Sequence, residues 1–323
     1  MKYRKSDAKD YARANMKGLW AANLTPFGPD GALDEEGFRR NLRHWIDDLG
    51  LGGLFIAGKQ AEFFSMSLEE RKRLLEIAVD EAGDSCGTMM SCSDENLDTV
   101  LELADHAQGA GADYIIVHSP PLYFHKSVDE VLYEYYRHIC AQVEIGVAIW
   151  HQPDYGYVMG PEVCARIAEL PNIVAIKYSV ARDLYTELTR MAGDKLIVST
   201  SAEDQWLENI VELGWQVYLC STPPFLMQTK HDRRMQEYTD LAMQGDVERA
   251  RRVRDSLAPV RAALRDTRPD DKPAAHQKYW QDLLGQTGGT VRRPLLELSD
   301  AEKAATKAAF ETCGLARAKD DAA

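Results

Sequence analysis

Lys177 is the residue of this chain best suited to covalent chemistry. It follows four apolar residues in the segment IVAIK, which sets a primary amine at the end of what reads as a buried strand. Burial disfavours the ammonium form, so the pKa of the amine falls and its nucleophilicity near neutral pH rises. A neutral amine adds to a ketone and loses water to give an imine. The protonated imine is then an electron sink for carbon–carbon cleavage or for loss of water. The competing reading is a lysine paired with a carboxylate such as Glu62 and doing no chemistry. On spacing alone the two readings weigh equally.

Other groups carry weaker signals. His106, His118, His125, His138 and His151 show no metal-ligand spacing with nearby carboxylates. Glu203 and Asp204 could take hydroxyls or a cation, but Ser201-Ala202-Glu203 also reads as an ordinary helix start, the preferred assignment. Cys86, Cys92, Cys140, Cys164, Cys220 and Cys313 are scattered, with no CxxC, and read as reduced, buried fillers. No glycine-rich nucleotide loop is present.

These groups must be positioned by an alternating framework. Short apolar runs at 19–25, 53–57, 87–91, 114–118, 147–151, 173–177, 196–200 and 217–221 read as buried parallel strands. Amphipathic stretches lie between them. Ser67 with Glu70, Ser127 with Glu130, and Ser299 with Glu302 have capping-box spacing, and Gly83 and Gly111 stand where helices end. Alternation of this kind fits an α/β chain closed as a (β/α)8 TIM barrel better than a doubly wound sheet. Residues 1–224 are expected to hold the barrel and its lead-in. Residues 225–323 are expected to be a helical extension of the same structural unit, with two helices over 225–264, a polar connection at 266–273, a last helix after Ser299 and a frayed end.

Catalytic groups of such a barrel sit at the C-terminal ends of its strands. Those ends supply Thr25, residues 58–62, 119–123 and 150–153, Lys177, Ser201 and Cys220. The net charge of −13 over 323 residues argues against nucleic-acid or anionic-membrane partners, which call for clustered Lys and Arg. The charged start MKYRKSDAKDYARANMKG lacks a signal-peptide core, and no stretch is apolar enough to span a bilayer, so a cytoplasmic protein is expected.

Four segments resemble the dihydrodipicolinate synthase/N-acetylneuraminate lyase family of Schiff-base aldolases and hydro-lyases. They are LTPF at 24–27, GKQAEFFSMSLEER at 58–71, PPLYFHKS at 120–127 and PNIVAIKYS at 171–179, in the family's order. The resemblance implies that Lys177 forms an imine with pyruvate or another 2-oxo acid. It implies that Tyr123 completes a proton relay, often across a subunit interface, and hence a homotetramer or homodimer. No cofactor or metal is implied.

The departures from the family pattern are informative. The usual carboxylate-gripping GTTGE reads Gly58-Lys59-Gln60-Ala61-Glu62, so Lys59 either replaces hydroxyl contacts with a charge or faces solvent, and Gln60 is a carboxylate donor. Glu62-Phe63-Phe64-Ser65 resembles the sugar-acid dehydratase branch. Trp150 stands where the family has its acid/base tyrosine, and an indole cannot shuttle protons near neutral pH. His151 has a suitable pKa range, although strand alternation turns it away from Trp150. Tyr155 replaces an arginine that holds a second carboxylate, so the second-substrate side reads as aromatic.

The expected activity is therefore a lyase joining or splitting a 2-oxo acid and an aldehyde, with Lys177, Tyr123 and His151 as catalytic candidates. Thr25, Lys59, Gln60, Glu62, Trp150, Tyr155, Ser201 and Cys220 are the substrate-binding candidates. The alternatives are a sugar-acid dehydratase using the same imine, and a barrel that binds a small molecule without catalysis.

Overall fold

In the computed structural model, which describes residues 1–122, 128–220 and 222–315, eight parallel strands form the barrel wall. They are β1 (Gly18–Ala22), β2 (Gly53–Ile56), β3 (Gly87–Ser91), β4 (Tyr114–His118), β5 (Gly146–His151), β6 (Ile173–Tyr178), β7 (Ile197–Ser199) and β8 (Val217–Leu219). The hydrogen-bonded order runs β7-β6-β5-β4-β3-β2-β1-β8, with every pair parallel. The ring closes at the β7–β8 seam through a side chain. The Ser199 hydroxyl donates to Val217 O at 2.9 Å and accepts from Leu219 N–H at 3.0 Å, standing in for ladder bonds there. The arrangement is the closed (β/α)8 barrel that the alternation predicts.

The strands are almost wholly buried, as parallel strands covered by helices must be. α1 (Ala8–Asn15) leads in. The helices between strands are α2 (Glu35–Arg43), α3 (Leu68–Ala82), α4 (Leu97–Ala110), α5 (Val128–Gln142), α6 (Pro161–Ile167), α7 (Arg182–Ala192) and α8 (Trp206–Leu213). Both described capping boxes form: Ser67 Oγ accepts from Glu70 N–H at 3.2 Å, and Ser299 Oγ accepts from Glu302 N–H at 3.3 Å. Gly83 and Gly111 close α3 and α4 at positive φ, where glycine carries no Cβ penalty. The Ser127 cap lies outside the described residues, as do the final eight, where fraying is expected. No described helix is long and apolar enough to cross a membrane.

The extension differs from expectation. Three helices follow the barrel before residue 267, not two: α9 (Arg234–Met243), α10 (Val247–Ser256) and α11 (Ala258–Asp266). Pro259, at the second position of α11, ends the run that looked continuous. A further helix, α12 (Pro273–Leu283), precedes α13 (Asp300–Thr312). Its buried face mixes His276, Gln277, Lys278 and Gln281 with just two apolar side chains, Ala275 and Trp280, so no continuous apolar stripe announced it.

That polar face ties the extension to the top of the barrel. Lys278 forms an ion pair with Glu62, with both side chains essentially inaccessible, and its Nζ also donates to Thr290 O at 2.6 Å. Glu62 accepts a second bond from Arg292 N–H at 2.8 Å. The Arg292 guanidinium reaches Gly31 O at 2.8 Å, Ser65 O at 3.1 Å and both oxygens of Glu70. Phe27 lies beneath both cations, its ring centroid 4.5 Å from Lys278 Nζ and 4.0 Å from Arg292 Cζ. Burial works against the charge on Lys278, and Glu62 opposes that effect.

Breaking one half of a buried ion pair leaves the other charge uncompensated, at a cost of about 3–5 kcal/mol. Lys278→Met is expected to lose stability on that scale in urea denaturation. The double variant Glu62→Gln/Lys278→Met should recover most of it. A loss below about 1 kcal/mol in the single variant would mean that the pair contributes no more than a surface contact.

Candidate active site

The C-terminal ends of β4, β5, β6 and β7 set His118, Trp150, Lys177 and Ser199 side by side in register. Alternation along β6 sends Lys177 into the barrel and its neighbour Tyr178 outward, where the Tyr178 hydroxyl donates to Met159 O. Lys177 is 1% exposed. Its Nζ donates to Cys220 O at 2.9 Å and lies 5.2 Å from the Phe55 ring and 5.4 Å from the Trp150 ring. No carboxylate pairs with it among the described residues. Glu62, the partner that would have silenced it, is held by Lys278 instead. Burial lowers the Lys177 pKa to about 8, and the nearby Lys59 charge adds to the effect.

Trp150 is the hub of an aromatic wall. Phe55 meets it edge-on at 5.3 Å and His118 at 4.8 Å, and Tyr155 meets His118 at 5.0 Å. Its indole N–H is buried without a hydrogen-bond partner, so it can donate to a ligand oxygen. Beside this wall opens a cavity of about 470 Å³ whose lining includes Lys59, Phe63, Phe64, His118, Trp150 and Tyr155. Its polar groups include Asp94, Glu95 and Asp154.

His118 was not singled out for catalysis from the sequence. Its Nδ1–H donates to Ser119 O at 2.8 Å, which leaves the lone pair on Nε2, and that atom is buried without a partner. Burial lowers its pKa, so the ring is neutral. A neutral imidazole with a free nitrogen in a cavity wall is a proton acceptor. The only sequence signal was its place as the last residue of a strand.

The structure removes His151 from the site. It points outward, with Nε2 accepting from Met159 N–H at 3.0 Å and Nδ1 bonded to the Ser119 hydroxyl at 2.8 Å. Burial and the neighbouring His118 push its pKa down to about 4. Both nitrogens are occupied, so it holds the β4 and β5 ends together. Glu62 is likewise committed to the clamp and does not face the cavity. Lys59 is exposed and bonded to Asp154 at 2.8 Å, whose carboxylate burial disfavours but Lys59 and Gln152 hold ionised.

The remaining candidates divide. Thr25 is buried, its hydroxyl accepting from Asn23 Nδ2 at 3.3 Å; Asn23 in turn holds Ala57 N–H at 3.0 Å. Ala57 and Glu62 both adopt positive φ, rare for residues with a Cβ, and bracket the 58–62 loop in which Gln60 is half-buried. Cys220 offers its carbonyl to Lys177, while its thiol, pushed up to about 11 by burial, accepts from Ala22 N–H. Ser201 accepts from the Ser179 hydroxyl at 2.9 Å and lines a different cavity. Glu203 begins a short helical turn, as expected, but its side chain is buried against Arg261 and the Tyr238 hydroxyl. Tyr123 lies outside the described residues.

Comparison with known proteins agrees with this fold. Residues 15–313 match the model of the dihydrodipicolinate synthetase family. A 4-hydroxy-tetrahydrodipicolinate synthase of Methanothrix thermoacetophila is 29% identical over 294 residues, covering 90% of this chain and 94% of its own. Among solved structures, YagE from E. coli K12 in complex with pyruvate is similar at a TM-score of 0.82 and 23% identity, with 93% of this chain and 99% of that one covered. CdNal from Clostridium difficile in complex with mannosamine is similar at a TM-score of 0.80 and 23% identity, covering 92% and 98%. With the match spanning nearly its whole length, the chain belongs to the dihydrodipicolinate synthetase family of lyases.

Proposed function

We propose that the protein is a Schiff-base lyase that joins or splits pyruvate, or a related 2-oxo acid, and a bulky or aromatic aldehyde. The observation that carries this reading is a buried lysine at the barrel mouth, without a counter-ion among the described residues and with its pKa lowered to about 8. The neutral amine adds to the keto carbon, and the carbinol hydroxyl takes up a proton from solvent and leaves as water, giving the protonated imine. Loss of a proton from the adjacent carbon gives the enamine, whose carbon attacks the aldehyde. Hydrolysis then frees the lysine. Run in reverse, the same steps cleave the bond.

His118 Nε2 is the group we assign to accept that carbon-bound proton, in place of the missing strand-five tyrosine, and Tyr123 remains a candidate to support the relay. Gln60 and Thr25 are proposed to hold the oxo acid's carboxylate. Lys59 would join them only by exchanging Asp154 for the ligand. The aromatic wall of Trp150, Tyr155 and Phe63 favours an apolar aldehyde. Asp94 and Glu95 favour a second reading, a sugar-acid dehydratase, by offering acceptors for hydroxyls in the same cavity. An aldolase releases free aldehyde, whereas a dehydratase leaves the carbon chain whole. A cytoplasmic setting and a homo-oligomer belong to the same proposal, in keeping with six buried free thiols.

Borohydride reduction with pyruvate is expected to add one adduct that maps to Lys177 and is absent from Lys177→Ala. An adduct that persists in the variant would sink the assignment. His118→Asn should still be trapped but should exchange the pyruvate methyl protons with D₂O about 100-fold more slowly. Unchanged exchange would return the proton step to another group.

The depressed pKa also predicts a pH dependence of stability. The unfolded chain holds the Lys177 proton more tightly than the folded one between pH about 8 and 10.5, so folding stability rises with pH across that window. Compared with Lys177→Met, the wild type should gain on the order of 3 kcal/mol there, at about 1.4 kcal/mol per pKa unit. Urea denaturation across the window measures it, and a constant difference between the two proteins would mean an ordinary lysine.

A further inference from the structure

A second cavity, of about 290 Å³, lies between the C-terminal ends of β7 and β8 and the helices α11 and α12. The proposed lyase chemistry uses none of its charged groups. Three guanidiniums line it, from Arg261, Arg265 and Arg268, against the carboxylates of Glu203 and Asp204. Arg261 is neutralised in place by both oxygens of Glu203. Arg265 bonds Asp266 at 2.7 Å. Arg268 has no ion-pair partner among the described residues, and it is exposed at the cavity rim.

The inner wall has the complementary character. His276 is completely buried, and its Nε2 lies 2.8 Å from the Thr267 hydroxyl. That hydroxyl already donates its one proton to Ala263 O at 2.8 Å, so Nε2 must be the protonated nitrogen and Nδ1 carries the lone pair. Nδ1 is buried and has no hydrogen-bond partner. Burial and the Arg268 charge hold the ring neutral, with a pKa of about 4. A buried acceptor without a donor is costly, and here it shares a cavity with a guanidinium that has no carboxylate partner.

We propose that this cavity is a second binding site, for a small hydroxylated carboxylate. The carboxylate pairs with Arg268 and Arg265 at the rim. A hydroxyl of the same molecule donates to His276 Nδ1 within, and the Thr222 hydroxyl supplies a further partner on the barrel side. A simple inorganic anion satisfies only the rim, because the lone pair on Nδ1 repels it. A neutral polyol satisfies only the interior. The two requirements together select the hydroxy acid.

The proposal is independent of imine chemistry and can be tested without a keto group. Isothermal titration of the full-length protein with D-gluconate, which has no ketone to react with Lys177, is expected to show saturable binding. Propionate and glycerol, each carrying half of the required chemistry, should bind at least about tenfold more weakly. Arg268→Gln, at an exposed position that leaves the core untouched, should weaken gluconate by about tenfold or more, the worth of a charge-assisted hydrogen bond. Lys177→Ala should leave it unchanged. Binding that survives Arg268→Gln but is lost in Lys177→Ala would place gluconate in the barrel mouth and overturn the assignment. So would the absence of saturable binding up to about 10 mM.

Discussion

The arrangement of the barrel mouth follows from one constraint, a primary amine buried without a counter-ion among the described residues. An ion-paired Lys177 would keep its proton and be inert as a nucleophile. The fold gives it instead one backbone carbonyl, from Cys220, and two aromatic faces, from Phe55 and Trp150. These partners accommodate the ammonium without fixing it. Cys220 lies one residue past the end of the short strand β8, beside the seam that the Ser199 hydroxyl closes where the strands do not. The acceptor that holds the amine therefore sits at the end of one of the two shortest strands of the barrel.

Keeping Lys177 unpaired requires that nearby carboxylates be occupied elsewhere. Glu62 follows the loop after β2 and would be a ready partner. It is drawn instead under the extension by Lys278 and the Arg292 backbone. Asp154 is engaged by Lys59. The C-terminal segment thus braces the loop after β2 at the barrel mouth. Lys278 and the Arg292 backbone hold Glu62, the positive-φ residue that ends the 58–62 loop, and commit its carboxylate away from the cavity.

The sequence made the barrel legible because parallel strands buried on both faces are continuous apolar runs, and four of the eight (β1, β4, β5 and β6) carry four or more apolar residues in a row. Lys177 was legible for the same reason, as the one charge that ends such a run. The extension was not. α12 buries His276, Gln277, Lys278 and Gln281 beside Ala275 and Trp280, and a helix whose inner face is mostly polar leaves no sustained 3.6-residue apolar period to read. The Glu62–Lys278 pair joins residues at opposite ends of the chain, and nothing local marks either as belonging to the other.

The histidines show how fine the margin is. His118 and His151 both end strands, and both follow four or more apolar residues. From composition they are equivalent, and His151 is the more conspicuous because it adjoins the tryptophan that replaces the family's tyrosine. Parity decides between them. Trp150 faces the interior, so its neighbour on β5 must face the helices, where Ser119 and Met159 saturate both ring nitrogens. His118 pairs in register with Trp150 across the ladder, so it shares the tryptophan's face and keeps one nitrogen free. Losing a proton-transfer group on β5 need not empty the site, because a parallel sheet puts the residue at the same height on the adjoining strand within contact of the same ring.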